Sequence, residues 1–192
     1  MTRTFDPDRP LPVEVVDELL ELSRRAPSAG FSQGVVFVAL SGDDAAMFWD
    51  VTGAGAWFAD HSPGVVDASV IVLPLADQDA YTARYSEADK AGHGLDDADN
   101  WPVPFWMIDA AMATQQLLLL AEDRGIGALF FGLSHGERVL LDRLGAPAGV
   151  RAIGVVTLGY RAASDRPSGS PTSRSRRPAS EVIAWGHWPT QA

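Results

Sequence analysis

Apolar positions along the chain fall into two kinds of run, and their spacing predicts alternating helices and strands. Over residues 12–26, Val15, Val16, Leu19, Leu20, Leu22 and Ala26 fall near one stripe, with Glu14, Asp17, Glu18 and Glu21 opposite. That is the 3.6-residue period of a half-buried helix. Arg24 and Arg25 at its end suit the helix dipole, and Pro27 with the Ser28-Ala29-Gly30 turn stops it. Residues 34–40 and 69–75 are short β-rich runs and read as buried strands. Pro74 predicts that the second strand ends there or lies at an edge. A short helix is expected at 45–50, then a glycine-containing loop to residue 60. Residues 105–124 are apolar nearly all round, which predicts a helix at the centre of a domain or of a dimer. Ala110, Ala111 and Ala113 allow close helix approach, and Gly125 and Gly127 close the helix. Residues 127–131 and 152–159 read as strands. Between them, Ser134-His135-Gly136-Glu137 has capping-box spacing and is expected to start a helix to about residue 144. The acidic stretch 86–104, punctuated by Gly92, Gly94, Pro102 and Pro104, has the length of a lid or binding loop. Residues 161–180, rich in Ser, Pro and Arg, are expected to be extended, with one last turn at 181–185. The alternation argues an α+β or α/β layered domain.

Composition narrows the class. A chain of 192 residues, 46% apolar, is long enough for one domain with a real core. Cysteine is absent, which excludes disulfides, thiolate metal sites and thiol nucleophiles. The longest apolar region is broken by Gln115 and Gln116, and the start, Met1-Thr2-Arg3-Thr4-Phe5-Asp6, lacks a signal-peptide pattern. A soluble, cytoplasmic protein with no membrane partner is expected. The net charge of −10 disfavours nucleic acid. Its distribution is uneven. Residues 1–160 hold 23 acidic and 10 basic residues, whereas residues 161–192 hold 2 acidic and 5 basic ones. Lys90 is the only lysine, so the positive charge is almost all guanidinium, the group suited to bidentate phosphate contacts. The basic end reads either as a small-anion site or as a solvated tail.

Two other chemistries are visible in the residues. Gly132-Leu133-Ser134-His135-Gly136 matches the G-x-S-x-G elbow of serine hydrolases, with Asp142 or Asp165 and then His187 in order for a triad. Only one good strand follows Ser134, and the capping box accounts for that serine without catalysis. His61, His93, His135 and His187 are scattered without ligand spacing, so no metal site is expected. Trp101, Phe105 and Trp106 at the start of the long helix read as packing or as an apolar wall over a substrate.

Taken in order, several motifs together resemble the FMN-dependent nitroreductase family over most of the chain. They are Arg3-Thr4-Phe5-Asp6, Ala26-Pro27-Ser28-Ala29-Gly30-x-x-Gln33, Asp109-Ala110-Ala111, Phe130-Phe131-Gly132, Leu158-Gly159-Tyr160, and Arg174-Ser175-Arg176-Arg177-Pro178. The resemblance implies a three-layer α+β fold with a central, mostly antiparallel sheet flanked by helices, over a single domain 1–192 whose 161–192 segment is extended and basic. It implies an intertwined homodimer with two FMN sites at its interface. It also implies ping-pong transfer of hydride from NADPH or NADH through the flavin to an electron-poor small molecule such as a nitroaromatic or quinone. By that match, Arg174 and Arg176 face the FMN phosphate and Arg3 the N1/C2-carbonyl end of the ring. Ser28 and Gln33 contact the flavin or its ribityl chain, the backbone of Phe131 and Gly132 lies near N5, and Trp101 and Phe105 border the substrate. Phe31 stands where the family usually shows Asn, and Phe131 where it often shows an acid. A flavin-binding protein without turnover is the alternative, and a serine hydrolase using Ser134 a further one.

Overall fold

The computed structural model describes residues 1–166, 170–186 and 188. Its centre is strand β2 (Val70–Asp77), whose side chains alternate between two cores. Val70 and Val72 point to one face, where they pack with Val16 and Leu19 of α1 (Val13–Ser23) and Leu117 and Ala121 of α5 (Phe105–Asp123). Ile71, Leu73 and Leu75 point to the other, with Phe48 of α2 (Gly42–Thr52) and Leu140 and Leu141 of α6 (Glu137–Arg143). The remaining strands are β1 (Val35–Leu40), β3 (Gly127–Phe131), β4 (Val150–Ala152) and β5 (Val155–Gly159). The order is β1-β2-β5-β3, with β4 also on β2. Every pairing among the named strands is antiparallel. The result is the expected three-layer α+β arrangement, helices on both faces of one antiparallel sheet.

The structure corrects several local expectations. Pro74 neither ends β2 nor lies at an edge: β2 runs on to Asp77 between β1 on one side and β5 and β4 on the other. The Pro74 carbonyl accepts from the Ile153 N–H at 3.1 Å, so the proline nitrogen faces the gap where β2 changes partner from β5 to β4, and its missing N–H breaks no ladder bond. That gap also splits the strand expected at 152–159. The helix expected at 45–50 is α2, and the loop after it contains a second helix, α3 (Ala54–His61), joined through Gly53 at φ 65°. Another helix, α4 (Gln78–Tyr85), went unread because only Tyr81 of it is buried. The capping box does not form. Gly136 is the N-cap of α6 without a side-chain bond, and Glu137 instead takes Arg151 Nε at 2.9 Å and the Ala152 N–H at 2.9 Å. The C-terminal stretch holds two short helices, α7 (Ser170–Ser173) and α8 (Ala179–Val182), within otherwise extended chain.

Helix α5 is not buried all round. Asp109, Ala110, Ala113, Thr114, Leu117 and Ala121 face inward, while Ile108, Met112 and Leu119 are 39%, 40% and 61% exposed. Gly125 (φ 67°) ends it, with the Ile126 N–H returning to the Ala121 carbonyl. Among the described residues no helix is long and apolar enough to cross a membrane.

Candidate functional site

The stretch from α1 to β1 carries Ser28 and Gln33 on a tight loop. Gly30, Phe31 and Gln33 all have left-handed φ values, 59°, 58° and 53°. Two non-glycine residues in that region cost free energy and persist only where the surroundings fix them. The surroundings here are Asp109, Tyr81 and Arg84. The Asp109 carboxylate, 2% exposed, accepts from the Ala29 N–H at 2.8 Å and from the Tyr81 hydroxyl at 2.7 Å, both on Oδ2. Burial first, and then the bond to Asp109, push the Tyr81 phenol well above its ordinary pKa, so it stays a donor. Arg84 Nε donates to the Gly30 carbonyl at 2.9 Å, and its other nitrogens hold both oxygens of Asp89 at 2.7 Å. The Arg84 guanidinium in turn holds the Asp89 carboxyl down at about 2. Gly30 is required as well as permitted, since a Cβ there would lie 2.7 Å from the Tyr85 ring. Within the loop, the Ser28 hydroxyl oxygen accepts the Gln33 N–H at 3.0 Å. Ser28, Phe31 and Gln33 line a cavity of about 370 Å³ with Arg24, Arg25 and Val35.

Phe131 and Gly132 lie at the opposite edge of the sheet. Strands β2 and β5 stand between β1 and β3, so the two stretches are roughly 14 Å apart at about 4.8 Å per strand. Ala128 uses its carbonyl outward, accepting the Thr2 N–H at 2.8 Å. By strand alternation Leu129 and Phe131 then turn their N–H groups inward to β5, and the outward series continues at Phe130 and Gly132. Among the described residues the Gly132 N–H has no partner, and a Cβ on Gly132 would meet nothing within 4 Å. The Phe131 ring packs inward, stacked on Trp49 and edge-on to Phe58. A second cavity of about 370 Å³ opens here, lined by Gly132, Ser134, His135, Trp57 and Phe58.

Arg3 follows the Thr2 contact to β3. Its N–H and that of Thr4 both donate to Asp165 Oδ1, at 3.0 and 2.9 Å, while its guanidinium has no hydrogen bond or ion pair among the described residues. Arg174 and Arg176 are exposed. Among the described residues, the hydrogen bonds of Arg174, Arg177, Glu181 and Ile183 reach no farther than four residues along the chain. Trp101 is packed rather than free: its ring meets Tyr85 at 4.8 Å, Phe105 at 5.7 Å and Tyr81 at 5.9 Å, and its Nε1 donates to the Leu95 carbonyl.

One chain therefore brings Ser28 with Gln33, and Phe131 with Gly132, but does not join the two pairs, and neither cavity is lined by Arg174 or Arg176. The candidate acids of the hydrolase elbow are engaged elsewhere. Asp142 pairs with Arg138 at 2.8 Å and Asp165 holds the Arg3 and Thr4 backbone, while His187 lies outside the described residues. No group of metal-ligating side chains occurs among the described residues. Sequence reasoning missed the bracing of the loop by Asp109, Tyr81 and Arg84. A lone acid on the inward face of an apolar helix was the available signal, because a buried carboxylate requires donors.

The fold and its two open edges define a nitroreductase-type α+β protein, and comparison with known proteins agrees. The Nitroreductase family model matches residues 1–160, so the chain belongs to that family and is a nitroreductase-like oxidoreductase. A protein of Archaeoglobus fulgidus named as an NADH dehydrogenase/NAD(P)H nitroreductase is 27% identical over 156 residues, 80% of this chain and 76% of that one. Among solved structures, the hypothetical oxidoreductase YcnD of Bacillus subtilis aligns with a TM-score of 0.74 at 20% identity, over 99% of this chain and 71% of that one. A nitroreductase-like protein of Streptococcus mutans aligns with a TM-score of 0.71 at 18% identity, over 97% and 93%. At these identities the structural likeness speaks for the fold.

Proposed function

We propose that the protein is an FMN-dependent NAD(P)H oxidoreductase, working as a homodimer on electron-poor small molecules such as nitroaromatics or quinones. One observation carries the reading. The two halves of the expected flavin site lie on opposite edges of one chain's sheet, while the apolar face of α5 is left uncovered. A second copy packed on Ile108, Met112 and Leu119 covers that face and sets the loop of one protomer against the β3 end of the other.

The residues present fit FMN. The cavity at Ser28 is within the roughly 300–1,000 Å³ of small-ligand sites, and its hydroxyl and the Gln33 amide suit a ribityl chain. Gly132 offers an unpartnered N–H and no side chain to obstruct a flat ring. Bound FMN supplies the two-electron redox chemistry of a ping-pong cycle, accepting hydride from a nicotinamide and passing it on. The Gly132 N–H is the donor toward N5, since the Phe131 N–H is spent on β5. Arg3 brings an uncommitted positive charge to the N1/C2-carbonyl end, where reduction gathers negative charge. Arg174 and Arg176 grip the phosphate, and Trp101 and Phe105 border the acceptor.

The first test is the visible spectrum of the purified protein before and after FMN addition and desalting. Retained flavin absorption, bleached anaerobically by NADPH or NADH and restored by a quinone, is expected. A colourless protein overturns the flavin reading, and a flavin that nicotinamide does not reduce leaves a binding protein without turnover. Sedimentation at micromolar concentration should give twice the 20.5 kDa chain mass; a monomer would remove the dimer.

A further inference from the structure

The cavity beside Ser28 carries positive charge that the resemblance does not account for. Arg24 and Arg25, in the turn that leaves α1, both line it. Both guanidiniums lean on one carboxylate: Arg24 Nη2 donates to Glu21 Oε1 at 2.7 Å, and Arg25 Nη2 reaches the same oxygen at 3.2 Å. Their hydrogen bonds, Arg24's first, hold the Glu21 carboxyl below its ordinary pKa, so it is an anion. Two cations on one anion leave a surplus of one positive charge at the cavity wall. Other ion-paired arginines are balanced differently. Arg124, Arg138, Arg151, Arg161 and Arg177 each have an acid of their own, and Arg84 has two.

In a chain of net charge −10, an unbalanced guanidinium pair at a cavity is out of pattern. Three of the pair's N–H groups are committed to Glu21, and most remain free. The Ser28 oxygen accepts from Gln33 and keeps its own O–H to donate. Phe31, 72% exposed at the cavity wall, presents an aromatic face.

We propose that Arg24 and Arg25 form a phosphate-monoester subsite in this cavity, for a ligand whose body lies along Ser28, Gln33 and Phe31. The phosphate is either that of FMN or the ribose 2′-phosphate of NADPH. The choice of these two ligands rests on the proposed function; the subsite itself rests on the charge and the cavity.

Calorimetric titration of the full chain with FMN and riboflavin, and with 2′-AMP and adenosine, tests it. At least one phosphorylated ligand should bind roughly tenfold or more tighter than its dephosphorylated counterpart. The double variant Arg24→Gln/Arg25→Gln should cut that advantage roughly tenfold, whatever Arg174 and Arg176 add to it, and leave the counterpart's binding unchanged. Loss confined to FMN identifies the flavin phosphate, and loss confined to 2′-AMP the donor's. Glu21→Gln, which frees both guanidiniums, should tighten the same ligand several-fold, a gain that a merely structural role would not give. These are exposed pairs that add little to stability, so a thermal melt should show each variant folded. A phosphate advantage that is undiminished in the double variant, or is absent from the parent for both ligands, overturns the subsite. If the parent fails to bind FMN, the flavin reading falls while the 2′-AMP arm still decides the subsite.

Discussion

Two stretches of this chain carry candidate cofactor contacts, and they are built differently. The loop from Pro27 to Gln33 is held by buried chemistry: one carboxylate under the Ala29 N–H, one guanidinium on the Gly30 carbonyl, and aromatic rings beneath Gly30 and Gly34. The segment that carries Arg174 and Arg176 is exposed and bonded only to near neighbours where its bonds are described. The first is positioned by the fold of a single chain. The second has cations and no internal acid beyond Glu181. The strain stored at Phe31 and Gln33 fits the same contrast, because left-handed non-glycine residues survive where several contacts over-determine them.

The largest expected effect breaks the loop's side of that contrast. Asp109→Ala removes the acceptor of two donors, the part-buried Ala29 N–H and the buried Tyr81 hydroxyl. Leaving them unpaired should cost about 3 kcal/mol in urea unfolding and weaken ligand binding at Ser28 in the same protein. Tyr81→Phe, which deletes one donor and leaves Asp109 its backbone bond, should cost about 1 kcal/mol. A full-strength fold in Asp109→Ala would mean the loop holds itself.

The tail should behave in the opposite way. Arg174→Ala with Arg176→Ala should weaken FMN by about 1.5–3 kcal/mol, a rise in Kd of about 10- to 150-fold. The thermal midpoint without ligand should not move. Unchanged FMN affinity would remove the tail from the site. A smaller effect of opposite sign is expected at Phe31. With φ at 58° and little packing to lose, Phe31→Asn should stabilise the unliganded protein by about 1 kcal/mol, because Asn tolerates the left-handed region. Unchanged stability in urea would place the strain elsewhere.

How much of this was legible in the sequence follows from which interactions are local. The unbroken apolar run of 70–75 states burial on both faces and the stripe of α1 states its inward face, which argues a layered α+β or α/β domain; the three-layer arrangement is what the family resemblance adds. Pro74 misled because its effect depends on which neighbour its nitrogen faces, and that is set by the non-local switch from β5 to β4. The 3.6-residue pattern missed α4 because its inward face holds one buried residue, Tyr81, whose partner Asp109 lies 28 positions away. Ser28 and Gln33, read on one motif, do meet: the Gln33 N–H donates to the Ser28 oxygen. That this motif and Gly132 lie at opposite edges of one sheet was not readable, because strand order is set by non-local pairing. The capping box failed because Glu137 had a better offer than its own helix: Arg151 and the Ala152 N–H across the turn.

That last choice gives the smallest effect and the one with a pH signature. Arg151 first, and then the Ala152 N–H, hold the Glu137 carboxyl below its ordinary value of 4.5, although partial burial works the other way. A carboxyl that binds its proton less readily when folded stabilises the fold while ionised. That contribution is complete above the ordinary value of 4.5 and is lost as pH falls through the lowered folded value. Gln at this position keeps an oxygen for the Ala152 N–H and removes the charge, so Glu137→Gln isolates the pairing with Arg151. Because the Arg151 side chain is 65% exposed, the pair should contribute only about 0.5–1 kcal/mol at neutral pH. The gap between parent and variant unfolding curves should therefore be small at pH 7, narrow below about 4.5 and close in stronger acid. It should also shrink in high salt, as an exposed pair must. A gap that stays constant from pH 7 to acid would assign the whole effect to lost packing, and the reason given for the failed capping box would fall with it.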